Sequence, residues 1–102
     1  MSDQTQDQSS DVQLTHNEAE GRYEAHLDGE LAGSAYYELG EGRIVFTHTE
    51  VDDAFEGRGV GSALARFALD DVRARGGLRV VPRCPFIKGW IDRHPDYQDL
   101  VH

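Results

Sequence analysis

The chain has 102 residues, 38% of them hydrophobic and 28% charged, with a formal net charge of -9. This is the composition of one soluble globular domain with a modest core, and it leaves no apolar run near the roughly 20 residues that a membrane helix needs. Cys84 is the only cysteine, which excludes an internal disulfide and a cysteine-based zinc cluster and suits a reducing cytoplasm.

Residues 1–10 are Gln, Ser, Thr and Asp around the initial Met, with no basic or apolar block. They read as a disordered tail rather than a signal peptide or an anchor. Residues 11–102 then form a single domain. Val12 and Leu14 alternate with polar neighbours between Asp11 and Thr15, predicting a first strand that breaks at Asn17 to Gly21. Tyr23, Ala25 and Leu27 mark a half-buried second strand, closed by Asp28-Gly29. In the third strand Leu31, Gly33, Ala35, Tyr37 and Leu39 share a face, and Gly40-Glu41-Gly42 turns the chain again. The fourth, Arg43 to Val51, places Ile44, Phe46, His48 and Glu50 on one face and Val45, Thr47, Thr49 and Val51 on the other. Three or four strands joined this way make an antiparallel meander.

The period then changes to that of a helix. Val60, Ala63, Leu64, Phe67, Ala68 and Val72 form a core-facing stripe, Arg66, Asp70, Arg73 and Arg75 point outward, and Gly76-Gly77 ends the helix. Leu78 to Cys84 reads as a strand parallel to the sheet, because a helical crossover precedes it. Pro82 has no N–H for a ladder, so this strand lies at an edge or parts from its neighbour near Pro82. Pro85 opens a short helix over Phe86 to Arg93, broken before Pro95.

Charge is divided unevenly along the chain. Residues 1–57 carry 14 acidic and 2 basic side chains, whereas residues 58–102 carry 5 acidic and 8 basic. A basic half suits a phosphorylated ligand and an acidic half attracts a cationic one; an acidic surface kept for solubility is the other reading. No Lys/Arg stripe with interleaved aromatics is present, which disfavours nucleic acid.

Between the two halves lies Gly57-Arg58-Gly59-Val60-Gly61-Ser62, which leaves backbone N–H groups uncovered where a helix begins. That is anion-binding geometry. A dinucleotide fold would place such a loop early in an alternating strand-helix series, and a P-loop would follow its last glycine with Lys-Ser/Thr; here Gly61 is followed by Ser62-Ala63.

His48-Thr49-Glu50-Val51, the run Phe55 to Leu64, Cys84-Pro85-Phe86 and His94-Pro95-Asp96-Tyr97 occur in this order. Together they resemble the GNAT N-acetyltransferases, specifically their compact single-domain YjdJ-type members, over about residues 23–101. The resemblance implies an α+β GNAT-type fold: the meander, a helix, a parallel strand diverging from the sheet and a short C-terminal helix. It implies acetyl-CoA as cosubstrate, no metal, and direct acetyl transfer to a primary amine on a small molecule or a protein side chain. The alternative is a CoA-binding or interaction module without turnover. The family's loop has the form Arg/Gln-x-x-Gly-x-Gly/Ala, matched at Gly59 and Gly61 but with Glu56 in the first position. The implied grip on the pyrophosphate therefore rests on the backbone of Gly57, Gly59, Val60, Gly61 and Ser62, with Arg58 for local charge and the Val51 backbone for the pantetheine arm.

His48 and Glu50 lie two apart on one strand, so they share a face, and either is a candidate base for the acceptor amine. Their other reading is structural, a packed histidine and a solvated carboxylate. His48 has no metal-ligand spacing to the other histidines. Cys84 is a third catalytic candidate: it could line the acetyl site, protonate the departing thiolate or take the acetyl group itself, and is otherwise a small buried hydrophobe. The resemblance also brings Phe86, Lys88, Trp90 and Arg93 toward the cofactor, Lys88 and Arg93 being phosphate ligands or plain surface charges. Trp90 stands where the family often has a tyrosine, which shifts protonation of the thiolate toward Cys84, water or Tyr97; Tyr97 reads as a packing residue.

Overall fold

Four strands joined by turns form the expected meander: β1 (Val12–Asn17), β2 (Arg22–Leu27), β3 (Glu30–Gly40) and β4 (Arg43–Val51). The computed structural model describes residues 12–101, so the tail expected over residues 1–10, Asp11 and His102 lie outside it. The chain continues through α1 (Val60–Arg75), β5 (Arg79–Pro82) and α2 (Pro85–Asp92), with 3-10 turns at Asp53–Phe55 and Pro95–Leu100. The sheet order is β1-β2-β3-β4-β5, and β5 pairs in parallel with β4 at the edge.

Two irregularities displace the simple alternation. Ala25 pairs with Gly33 but His26 with Leu31, so Ala32 is an extra residue in β3. The bulge turns Ala32 into the core and leaves Leu31 exposed, correcting the face assigned to Leu31. In β4, Tyr36 pairs with His48 but Tyr37 with Phe46, leaving Thr47 as the extra residue. Ile44 and Phe46 are buried, but His48 and Glu50 stand on the opposite face, exposed; Thr49 and Val51 take the inner side instead. The expected shared face of Ile44, Phe46, His48 and Glu50 is thus split by one residue.

The core joins one sheet face (Tyr23, Ala25, Ala35, Ile44, Phe46, Val80) to Val60, Leu64, Ala68 and Val72 of α1. Ala65 and Leu69, outside the expected stripe, are also fully buried, because Ile87, Trp90, Ile91 and Tyr97 bring α2 and the last turn into the same cluster. Gly33 lets α1 sit close: a Cβ there would lie 2.8 Å from the Glu50 carbonyl oxygen, 3.1 Å from Val60 and 3.2 Å from Leu64. Nothing among the described residues covers the opposite sheet face, where Arg43, Val45, Arg79, Val81 and Arg83 line a shallow depression. Among the described residues no helix is long and apolar enough to cross a membrane.

Candidate active site

β4 leads straight into the glycine loop. Asp52 caps the 3-10 turn, its Oδ1 accepting the Ala54 N–H at 2.9 Å, and the Arg58 N–H donates to the Phe55 carbonyl at 3.3 Å. Gly57 and Gly59 then take φ of 81° and 76°, the left-handed region that favours glycine, and a Cβ at either would meet nothing within 4 Å. Gly59 is the N-cap of α1 and supplies no side-chain cap. The first helical bond runs from the Ala63 N–H to the Gly59 carbonyl at 3.0 Å, so the N–H groups of Val60, Gly61 and Ser62 precede any intrahelical partner. No acidic residue stands in the first turn to occupy them. Arg58 is exposed and makes no ion pair among the described residues, so it brings a positive charge between the two glycines, with the exposed Glu56 just before them. These groups fit an anion of the phosphate or diphosphate kind.

Gly61 differs from the other two glycines. A Cβ there would lie 2.8 Å from Phe86 Cζ, so its bare Cα seats the Phe86 ring of α2 against the start of α1.

Beside the loop, β4 and β5 part. Their ladder ends at Phe46 opposite Pro82, and one further bond follows, from the Cys84 N–H to the Phe46 carbonyl at 2.9 Å. Past it, residues 47–51 have no partner on the β5 side. The Asp52 N–H donates to the Ala32 carbonyl at 2.8 Å, toward β3; by strand alternation the peptide groups of Val51 and Thr49 turn the other way, into the gap. Cys84 caps α2 at the head of this gap, 3% exposed, its Sγ 3.1 Å from Thr49 Oγ1. On the opposite face of β4, His48 Nε2 lies 3.1 Å from Glu50 Oε2, and the two side chains are 59% and 61% exposed. The Tyr36 ring stacks on His48 at 6.0 Å. The structure thus brings His48, Glu50, Val51, Thr49 and Cys84 to one strand edge, with the base candidates and the thiol reaching it from different faces.

The α2 residues disperse. Trp90 is 1% exposed, stacked on His94 at 3.7 Å, and its indole N–H donates to Ser62 Oγ at 3.1 Å; it braces the loop from within. Lys88 pairs with Asp92 at 3.0 Å and lines a separate cavity with Pro82, Gln98 and Val101. Arg93 caps the far end of α2, about 10 Å along the helix from Phe86. Tyr97 closes the fold: its hydroxyl donates to Asp70 at 2.8 Å, a bond that with burial raises its pKa. Sequence reasoning passed over Arg66, which stacks over Trp90 at 5.5 Å and lines a groove with Gly59, Ser62 and Ala63. The helical period had marked it only as outward. It also passed over Ser34, Tyr36, Asp52 and Asp53, which line a cavity of about 590 Å³ on the open face of β3 and β4. Among the described residues no group of His, Cys, Asp or Glu side chains could hold a metal ion.

A sequence model described as GCN5-related N-acetyl-transferase matches residues 22–100. The chain belongs to this family of acetyltransferases. Protein NATD1 of Gallus gallus is 31% identical to this GNAT chain over 98 residues, covering 94% of it and 88% of the relative. NATD1 of Xenopus tropicalis is 31% identical over 91 residues, covering 87% and 83%, and NATD1 of Homo sapiens 29% over 91 residues, covering 87% and 80%. Among solved structures, the ribosomal-protein-S18-alanine N-acetyltransferase of Escherichia coli superposes with a TM-score of 0.53 at 21% identity, over 58% of this chain and 39% of that one. That likeness shows the fold: a mixed five-stranded α+β sheet with the parallel β4–β5 pair.

Proposed function

We propose that this protein is an acetyl-CoA-dependent N-acetyltransferase that moves the acetyl group directly to a primary amine. The observation that carries the reading is the free N-terminus of α1, with Gly57 and Gly59 in left-handed conformations, set beside the parting of β4 from β5. The amides of Val60, Gly61 and Ser62, with Arg58, hold the diphosphate. The peptide groups of Thr49 and Val51 hold the pantetheine arm along the strand, and Phe86 borders the loop. Acetyl-CoA, as substrate, supplies an activated thioester.

A lysine-like amine has a pKa about 3.4 units above neutrality, so presenting it neutral costs about 4.6 kcal/mol unless a base takes the proton. The hydrogen-bonded pair His48 and Glu50 accepts that proton, directly or through a water. The amine nitrogen forms its bond to the acetyl carbon as the bond to sulfur breaks, and the thiolate takes a proton from water or from the Cys84–Thr49 pair. Proximity on one strand edge supports direct transfer; a buried Cys84 is not needed as nucleophile.

The buried Trp90, with no hydroxyl to offer, favours the second reading, a CoA-binding module without turnover. Release of free CoA thiol separates the two. An enzyme releases it faster when amine is added, and Glu50→Gln slows that release about 100-fold or more; a binding module shows thermal stabilisation by acetyl-CoA and no amine-dependent release.

A further inference from the structure

The cavity on the open face of β3 and β4 shares Thr49 and Val51 with the strand edge assigned to the pantetheine arm and extends beyond that edge over residues with no part in holding acetyl-CoA. It is an open depression of about 590 Å³, and Ser34, Tyr36, Glu50, Asp52 and Asp53 are among its lining residues, with no lysine or arginine in its wall. Since a Cβ at Gly33 would point at Val60 and Leu64 of α1, the pleat turns Ser34 the opposite way, onto the cavity side. The register sets Ser34 between Glu24 and Glu50. Ser34 is 2% exposed, and its hydroxyl has no hydrogen-bond partner among the described residues. Buried polar groups are ordinarily paired, so a floor hydroxyl left open points to a ligand.

The carboxylates around it keep free oxygens. Glu50 meets His48 through Oε2, leaving Oε1, and Asp52 caps the turn through Oδ1, leaving Oδ2. Asp53 has no ion pair among the described residues. Arg22, which reaches the lining residue Tyr36, is held by Glu24 at 2.6 Å and donates to the Tyr36 hydroxyl at 3.2 Å. Glu50 and Asp52 are two residues apart, about 6.6 Å along an extended strand, close to the nitrogen-to-nitrogen span of butane-1,4-diamine.

We propose that the acceptor carries a second cation: its reactive amine meets Ser34 and Glu50 while an ammonium a short aliphatic chain away rests between Asp52 and Asp53. The identity of the reacting amine rests on the acetyltransferase reading; the dication site does not. Free di- and polyamines share this chemistry with a lysine followed by another basic residue in a peptide.

The test is an amide-resolved titration of the full chain with butane-1,4-diamine and, separately, butylamine. The diamine is expected to move the Ser34, Glu50 and Asp53 amides and to bind roughly tenfold tighter than the monoamine. The Asp52→Asn/Asp53→Asn variant, which keeps a capping side chain at 52, is expected to erase that gap, while Ser34→Ala weakens both amines. Equal affinities, a gap that survives the double variant, or shifts confined to other residues would overturn the inference. A Lys-Lys peptide and spermidine run side by side identify the source by which binds tighter. Diamine binding at these amides without accelerated CoA release upholds the cation site and removes the acetyltransferase reading. Butylamine acetylated as well as the diamine removes the cation site alone.

Discussion

Gly33 and Gly61 are each bare for the sake of a neighbour, and the neighbours differ in how far they can yield. Gly33 faces a backbone oxygen at 2.8 Å, which moves only with β4 itself. Gly33→Ala is expected to cost about 1–3 kcal/mol in urea unfolding, as overpacking does. Gly61 faces the tip of the partly exposed Phe86 ring, which can swing aside. His16 gives the residue scale its pH dependence. Its ring stacks on Tyr23 at 4.1 Å, Nε2 lies 2.6 Å from the Tyr37 hydroxyl, and Arg75 donates to Nδ1 at 3.0 Å. Burial foremost, against the pull of Asp71, lowers its pKa below 6.5. The unfolded chain therefore binds the proton first, so stability is complete above pH 6.5 and declines as pH falls from there to the folded pKa. Thermal unfolding should show that decline, and His16→Phe should flatten it. Glu24, held down by Asn17 and Arg22, and Asp99, held down by Arg73, extend the loss to more acidic pH.

At the scale of elements, the site depends on how β4 is bent and how α2 is braced. Trp90 on α2 donates its buried N–H to Ser62 in the first turn of α1. Ser62→Ala leaves that donor unpaired and is expected to cost about 1–3 kcal/mol, with chemical-shift changes spreading from Gly61 to Phe86; an unchanged midpoint would show the bond to be dispensable. The meander, the long helix and the parallel edge strand were legible because period 2, period 3.6 and Pro82 each have a direct physical mark. The bulge at Thr47 has none, since neither glycine nor proline stands there, yet it moves His48 and Glu50 to the outer face. Their mutual proximity survived because residues two apart stay together on either face. Ala65 and Leu69 were missed because the packing of α2 leaves no trace in the period of α1. Trp90 and Lys88 could not be placed from sequence, as a short helix shows which residues alternate but not which side meets the loop.

Across the whole molecule, Glu50, Asp52 and Asp53 gather on the open face near the end of β4, Arg43, Arg79 and Arg83 line a separate depression on that face, and Arg58 marks the loop that opens α1. An anionic cosubstrate and a cationic acceptor would so be drawn to opposite sides of one strand. The central claim is that the free amides at the start of α1 hold the diphosphate of acetyl-CoA, and the most direct measurement is an amide-resolved titration of the full chain with acetyl-CoA. Large saturable shifts at Gly57 to Ser62, accompanied by Thr49 and Val51 across the gap, are predicted. Loop amides that stay unmoved at saturating acetyl-CoA would contradict the account.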